Sequence, residues 1–142
     1  MDSTLIVETA AWQYIAESSK SAFPEECCGF IFGSMSSNQT NVVTAMKAYN
    51  ASAADKGDYF AISPATYTEA ENYAENNQLE LLGIYHSHPN QIALPSISDY
   101  KFALPDFLYL IVSVFETEIE DVRAWLIDEE YDRFNEQRIQ LL

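Results

Sequence analysis

The run Phe107-Leu108-Tyr109-Leu110-Ile111-Val112-Ser113-Val114-Phe115 is apolar apart from one serine. A strand with one wet face alternates polar and apolar residues, and this run does not. It predicts a central strand covered on both faces. Helices must supply that cover, and the chain offers two. Residues 8–22 have helical periodicity, with Trp12, Ile15 and Ala16 as the expected buried face. Ser63-Pro64 then places an N-cap and a first-turn proline in the preferred order before a helix over residues 65–76. Asn77 reads as its left-handed stop.

The other strands are shorter. Residues 4–7, 28–32, 42–48, 59–62 and 79–85 read as strands, as does 118–128, which sets Val122, Ala124 and Leu126 on one face. Residues 33–41 read as a polar turn, 50–58 as a loop, and 133–142 as a last strand or tail. Strands interleaved with helices predict an α/β fold. At 142 residues and 48% hydrophobic, without repeats or low-complexity stretches, the chain predicts one domain over residues 1–142.

Its only two histidines stand one residue apart in Gly83-Ile84-Tyr85-His86-Ser87-His88-Pro89, at or just past the end of the 79–85 strand. On extended backbone, residues two apart project to one face, so both imidazoles can converge on one ion. Pro89 disfavours helical backbone at His88 and keeps the pair extended. Seven residues separate His88 from Ser96, and Asp99 follows three later. A helix starting at Ser96 could turn Asp99 back toward the strand end. Two imidazoles and a carboxylate make a three-ligand set for a catalytic zinc with one position open. A water held there has its pKa lowered from 15.7 toward about 7. Plainer readings stand beside this one. His-Ser-His could be a polar surface turn. Ser96-x-x-Asp99 could be a capping box, which does not exclude ligation by Asp99.

Upstream lies Phe23-Pro24-Glu25-Glu26-Cys27-Cys28-Gly29-Phe30-Ile31-Phe32-Gly33. Glu26 followed by x-x-Gly-hydrophobic-x-x-Gly, then His-Ser-His-Pro, then Ser-x-x-Asp, resembles the JAMM motif of MPN-domain metallopeptidases. The resemblance spans essentially the whole chain. It implies a single MPN (JAB)-type domain with a curved mixed β-sheet flanked by helices, and one zinc ion on His86, His88 and Asp99. It implies Glu26 as general base and acid, and Ser96 as a hydroxyl that helps stabilise the tetrahedral oxyanion. The chemistry suits both roles: a carboxylate can take a proton from water and pass it to the leaving amine, and a hydroxyl can donate where negative charge develops. Glu25 competes with Glu26 on chemistry alone, and the family spacing to Gly29 favours Glu26. Iron or cobalt could occupy the same ligands.

The family cleaves peptide or isopeptide bonds after the C-terminal Gly-Gly of ubiquitin or ubiquitin-like proteins. Glycine suits a narrow groove that admits an extended chain only where side chains are missing. The short 50–58 loop and short 89–95 link leave no room for sizeable ubiquitin-gripping insertions. This chain is therefore more similar to the small stand-alone prokaryotic members, which act on sulfur-carrier or ubiquitin-like proteins with a Gly-Gly tail. Two other functions fit the same residues: a non-catalytic MPN scaffold, which would generally have lost the ligand set, and a metallohydrolase of small amides.

Charge limits the partners. Seven Lys and Arg against 22 Asp and Glu give a net charge of -15, with nine carboxylates between Glu116 and Glu136. Nucleic acid and anionic membranes are disfavoured. The acidic surface fits a solvated face, a site for a basic protein, or adaptation to acid or salt. Cys27 and Cys28 are adjacent and have no other partner, which excludes a disulfide scaffold. Cys28 is expected to pack in the core with Cys27 facing the other way. The thiolate run of zinc deaminases is missing. No signal peptide or membrane span is read, so a cytoplasmic protein is expected, in which Asn38-Gln39-Thr40 and Asn50-Ala51-Ser52 carry no glycan.

Overall fold

The computed structural model describes residues 4–50, 62–97, 99, 103–128 and 133–142. The elements run β1 (Thr4–Val7), α1 (Thr9–Ala22), β2 (Cys28–Met35), β3 (Gln39–Ala48), α2 (Pro64–Asn76), β4 (Glu80–Pro89), β5 (Leu108–Phe115), β6 (Glu118–Asp128) and β7 (Arg133–Leu141). The sheet is mixed and strongly curved. Its strands close into a barrel in the order β1-β3-β2-β4-β5-β6-β7, and β7 pairs in parallel with β1. The α/β architecture read from the sequence is the one observed.

β5 lies between β4 and β6, and seven of its eight residues are buried. Alternation splits its side chains between two cores. Leu108, Leu110, Val112 and Val114 pack with Ala11 and Ile15 of α1 and with Val7, Ile31 and Val42. Tyr109 and Ile111 join Ala70 and Ala74 of α2, together with Phe30, Phe32 and Ile84. Burial of each large side chain contributes about 1.5–3 kcal/mol, which ties both helices to the sheet. Val122, Ala124 and Leu126 share the α1 side, as expected.

Several element ends differ from expectation, each for a physical reason. The buried positions of α1 are Ala11, Ile15 and Ser19, while Trp12 and Ala16 are only partly covered. Ser19 tolerates burial because its hydroxyl donates to the Ile15 carbonyl at 2.8 Å. The polar stretch 33–41 is mostly strand. β2 runs to Met35 and β3 starts at Gln39, with a register shift at Phe32/Gly33. A Cβ on Gly33 would collide with the Asn41 backbone, so the strands close up there. In α2 the Ser63 hydroxyl accepts from the Thr66 N–H, as the cap requires. Asn77 is not left-handed (φ -108), and the positive φ falls on Gln78 (57). β4 continues beyond residue 85 to Pro89 because β5 pairs alongside it as far as Pro89↔Val114. His86 and His88 therefore lie within the strand, not past it. Residues 51–61, which hold most of the expected 50–58 loop, most of the 59–62 strand and part of one glycosylation pattern, lie outside the described residues. Among those described, no helix is long and apolar enough to cross a membrane.

Candidate metal centre

His86 and His88 project from the α2 side of β4, where both are buried. Ser87 between them faces the other way, and its hydroxyl accepts from the Cys27 N–H at 2.9 Å. The pairing of β2 with β4 sets Cys28 opposite His86 and so brings the residues just before β2 to the histidines. Glu26 is buried there, with Oε1 3.1 Å from His86 Nδ1. Its neighbour Glu25 is exposed, so burial separates two carboxylates that chemistry alone could not. The Asn50 amide holds the Glu26 carbonyl at 3.1 Å.

Asp99 completes the cluster. Its Oδ1 lies 3.5 Å from His86 Nε2, and its Oδ2 lies 3.2 Å from His88 Nε2. Ser96 N–H donates to Asp99 Oδ2 at 2.7 Å, and Asp99 N–H donates to Ser96 Oγ at 3.1 Å. That reciprocal pair is a capping box, with Asp99 itself on helical backbone. The capping and clustering readings of Asp99 thus both hold: one carboxylate caps the turn and faces both imidazoles. Ser96 enters the arrangement through Asp99.

The tautomer of His88 follows from its partner. Nδ1 lies 2.9 Å from the Ile92 carbonyl, which can only accept, so Nδ1 carries the hydrogen. Nε2 is thereby the ring nitrogen turned to the Asp99 carboxylate, 3.2 Å away. Burial disfavours the His86 imidazolium, but the Asp99 and Glu26 carboxylates outweigh it and raise its pKa. Burial likewise opposes ionisation of Asp99, yet His86, His88 and the Ser96 N–H hold its pKa down to about 2.

Could this group hold a metal? One ligand atom from each of Glu26, His86, His88 and Asp99 falls within 4.8 Å of all the others. A tetrahedral ion with bonds of about 2.0–2.1 Å separates its ligand atoms by about 3.3 Å, and the two histidine–aspartate distances of 3.5 and 3.2 Å bracket that value. The donor set of imidazole and carboxylate suits zinc and other divalent metals. The residues fit an ion, with His88 oriented from behind by the Ile92 carbonyl.

The Ile92 carbonyl escaped the sequence reading because a backbone acceptor leaves no residue-type signal. Ser87 was readable in principle, since alternation sends the middle residue of His-x-His to the opposite face.

The fold has close counterparts. A Desulfitobacterium hafniense protein solved in solution superposes with a TM-score of 0.84 at 24% identity, over 97% of this chain and 92% of that one. A Salinibacter ruber protein, also solved in solution, gives a TM-score of 0.69 at 29% identity, over 92% of this chain and 86% of that one. No curated protein sequence matches the chain. Residues 8–128 match the family described as prokaryotic homologs of the JAB domain. Glu26, His86, His88 and Asp99 all lie within that match, and the chain belongs to this family.

Proposed function

We propose that this protein is a cytoplasmic zinc-dependent peptidase or isopeptidase that cleaves after the C-terminal Gly-Gly of a ubiquitin-like or sulfur-carrier protein. The observation that carries the reading is the buried convergence of Glu26, His86, His88 and Asp99 within 4.8 Å. His86, His88 and Asp99 would hold the ion. Bound zinc would supply Lewis acidity toward the scissile carbonyl and toward water. Glu26 takes a proton from the attacking water on its carboxylate and passes it to the leaving amine, so that water adds across the C–N bond and the carboxylate is regenerated. The Ser96 oxygen already accepts from the Asp99 N–H, which leaves its own hydrogen to donate to the developing oxyanion. A Gly-Gly tail suits a buried centre because an extended chain without side chains can approach it closely.

The test is mass spectrometry of zinc-loaded protein incubated with ubiquitin-like and sulfur-carrier proteins, each extended beyond Gly-Gly by a short peptide. A cut directly after Gly-Gly that is lost in Glu26→Ala supports the reading. No cut on any of them, with zinc bound, turns attention to a small amide or a scaffold role.

A further inference from the structure

Between Pro89 and Ser96 the chain folds back over the α2 side of the sheet, where Ala93 is buried beside Tyr109, Ile111 and Trp125. Backbone laid on an apolar face must have its carbonyls satisfied. Here three successive carbonyls are met by donors from three neighbouring strands. Ser113 on β5 donates Oγ–H to Gln91 O at 2.5 Å. His88 on β4 donates Nδ1–H to Ile92 O at 2.9 Å. Trp125 on β6 donates Nε1–H to Ala93 O at 3.1 Å. Asn90 N–H also donates to Val114 O at 2.7 Å, fixing where the segment leaves the strand.

We propose that Ser113 and Trp125 are positioning residues of the metal centre: they anchor the carbonyls on either side of Ile92, so that Ile92 O holds His88 in the tautomer that presents Nε2 to the ion. Ser113 pairs across the strands with His88, and neither residue was marked by the motif spacing. Both are buried, at 1% and 9% exposure, so their donors have no water to turn to and the anchors are firm. The segment they hold carries Ile92 exposed at 63% and Leu94 at 41%. Apolar packing holds it only through the small Ala93 side chain, and the hydrogen bonds supply most of the rest. Ile92 acts through its backbone, and its side chain is free to vary.

This inference rests on the metal-centre reading, and two readouts keep the two apart. Zinc affinity is measured by competition with a chromophoric chelator, and the His88 tautomer is read by 15N NMR of the ion-free protein. Ser113→Ala and Trp125→Phe are each expected to weaken zinc binding by up to about tenfold, the lower end of what losing a directly bonded orienting partner costs. Each should also convert a single Nδ1–H tautomer of His88 into a mixture. Ser113→Thr, which keeps the hydroxyl, should restore both. Wild-type affinity and tautomer in the two variants would overturn the proposal, as would a lowered Tm with the tautomer unchanged. If the wild type took up no zinc, the metal-centre reading would fail and the ion-free tautomers would still decide the clamp. Should Trp125→Phe not fold, Ser113→Ala and its threonine rescue decide it alone.

Discussion

Two pairs of metal-seeking side chains are buried on adjacent strands, Cys27/Cys28 before and on β2 and His86/His88 on β4, with Cys28 directly opposite His86. Only the histidines are arranged to act together. Adjacent residues point to opposite faces, and the cysteines do: the Cys27 thiol reaches Ser19 of α1, while the Cys28 thiol approaches the Ala48 carbonyl. The histidines are two apart and share a face. Charge widens the difference. Glu26 stabilises an imidazolium at His86 but destabilises a thiolate at Cys28, whose pKa burial, Cys27 and Glu26 push up to about 12. Burial raises Cys27 as well. A protonated thiol is a core atom and a poor ligand. Spacing of one residue and the reach of a single carboxylate separate filler from ligand set.

The contrast breaks first at His88. His88→Ala removes a proposed ligand and should weaken zinc binding by more than the about hundredfold expected of an orienting partner, as judged by competition titration. A variant that still binds one ion tightly would remove His88 from the site. Next comes Glu26→Gln, which keeps an oxygen near His86 Nδ1 but cannot take a proton. Zinc content and fold should persist while turnover falls at least about a hundredfold. Exposed Glu25→Gln should leave turnover unchanged, and the opposite pattern would reverse the choice between the neighbours.

Acidity sharpens the comparison further. Zinc needs neutral imidazole, and the His86 pKa is raised above its ordinary 6.5. Below that raised value, each pH unit should cost at least about tenfold in zinc affinity; a flat profile from pH 8 to 5 would contradict it. The linked stability of the ion-free fold has defined signs. The His86 contribution is fully present below 6.5 and is lost as pH rises through the raised value. The Asp99 contribution is present above 3.8 and is lost as pH falls toward about 2. Denaturant midpoints across pH, compared with Asp99→Asn, read out the acid limb. The smallest effect belongs to the cysteines. Cys28→Ala should cost roughly 1–2 kcal/mol of stability, by analogy with removing a small core group, and should leave zinc affinity unchanged. A large loss of affinity would place the thiol in the site.

Much of this was legible in the sequence. Residues 107–115 declared a strand buried on both faces because neither side could stand water. The His-x-His pair and Ser96-x-x-Asp99 were legible because periodicity and capping are local rules. What was not legible depends on contacts between distant strands. Ser34 and Met35 extend β2 although they are exposed, since pairing with β3 holds them there. Closure of the barrel rests on β1 meeting β7 across nearly the whole chain, which no window of residues announces. The burial of Glu26 against the exposure of Glu25 follows from β2 lying beside β4. The Ser113 and Trp125 anchors end on backbone carbonyls, which carry no residue-type signal.

The most direct test is zinc K-edge X-ray absorption of the zinc-loaded protein. The account predicts a shell of nitrogen and oxygen at about 2.0–2.1 Å with imidazole scattering from two histidines and no sulfur near 2.3 Å. Sulfur at that distance, or scattering from fewer than two imidazoles, would contradict it.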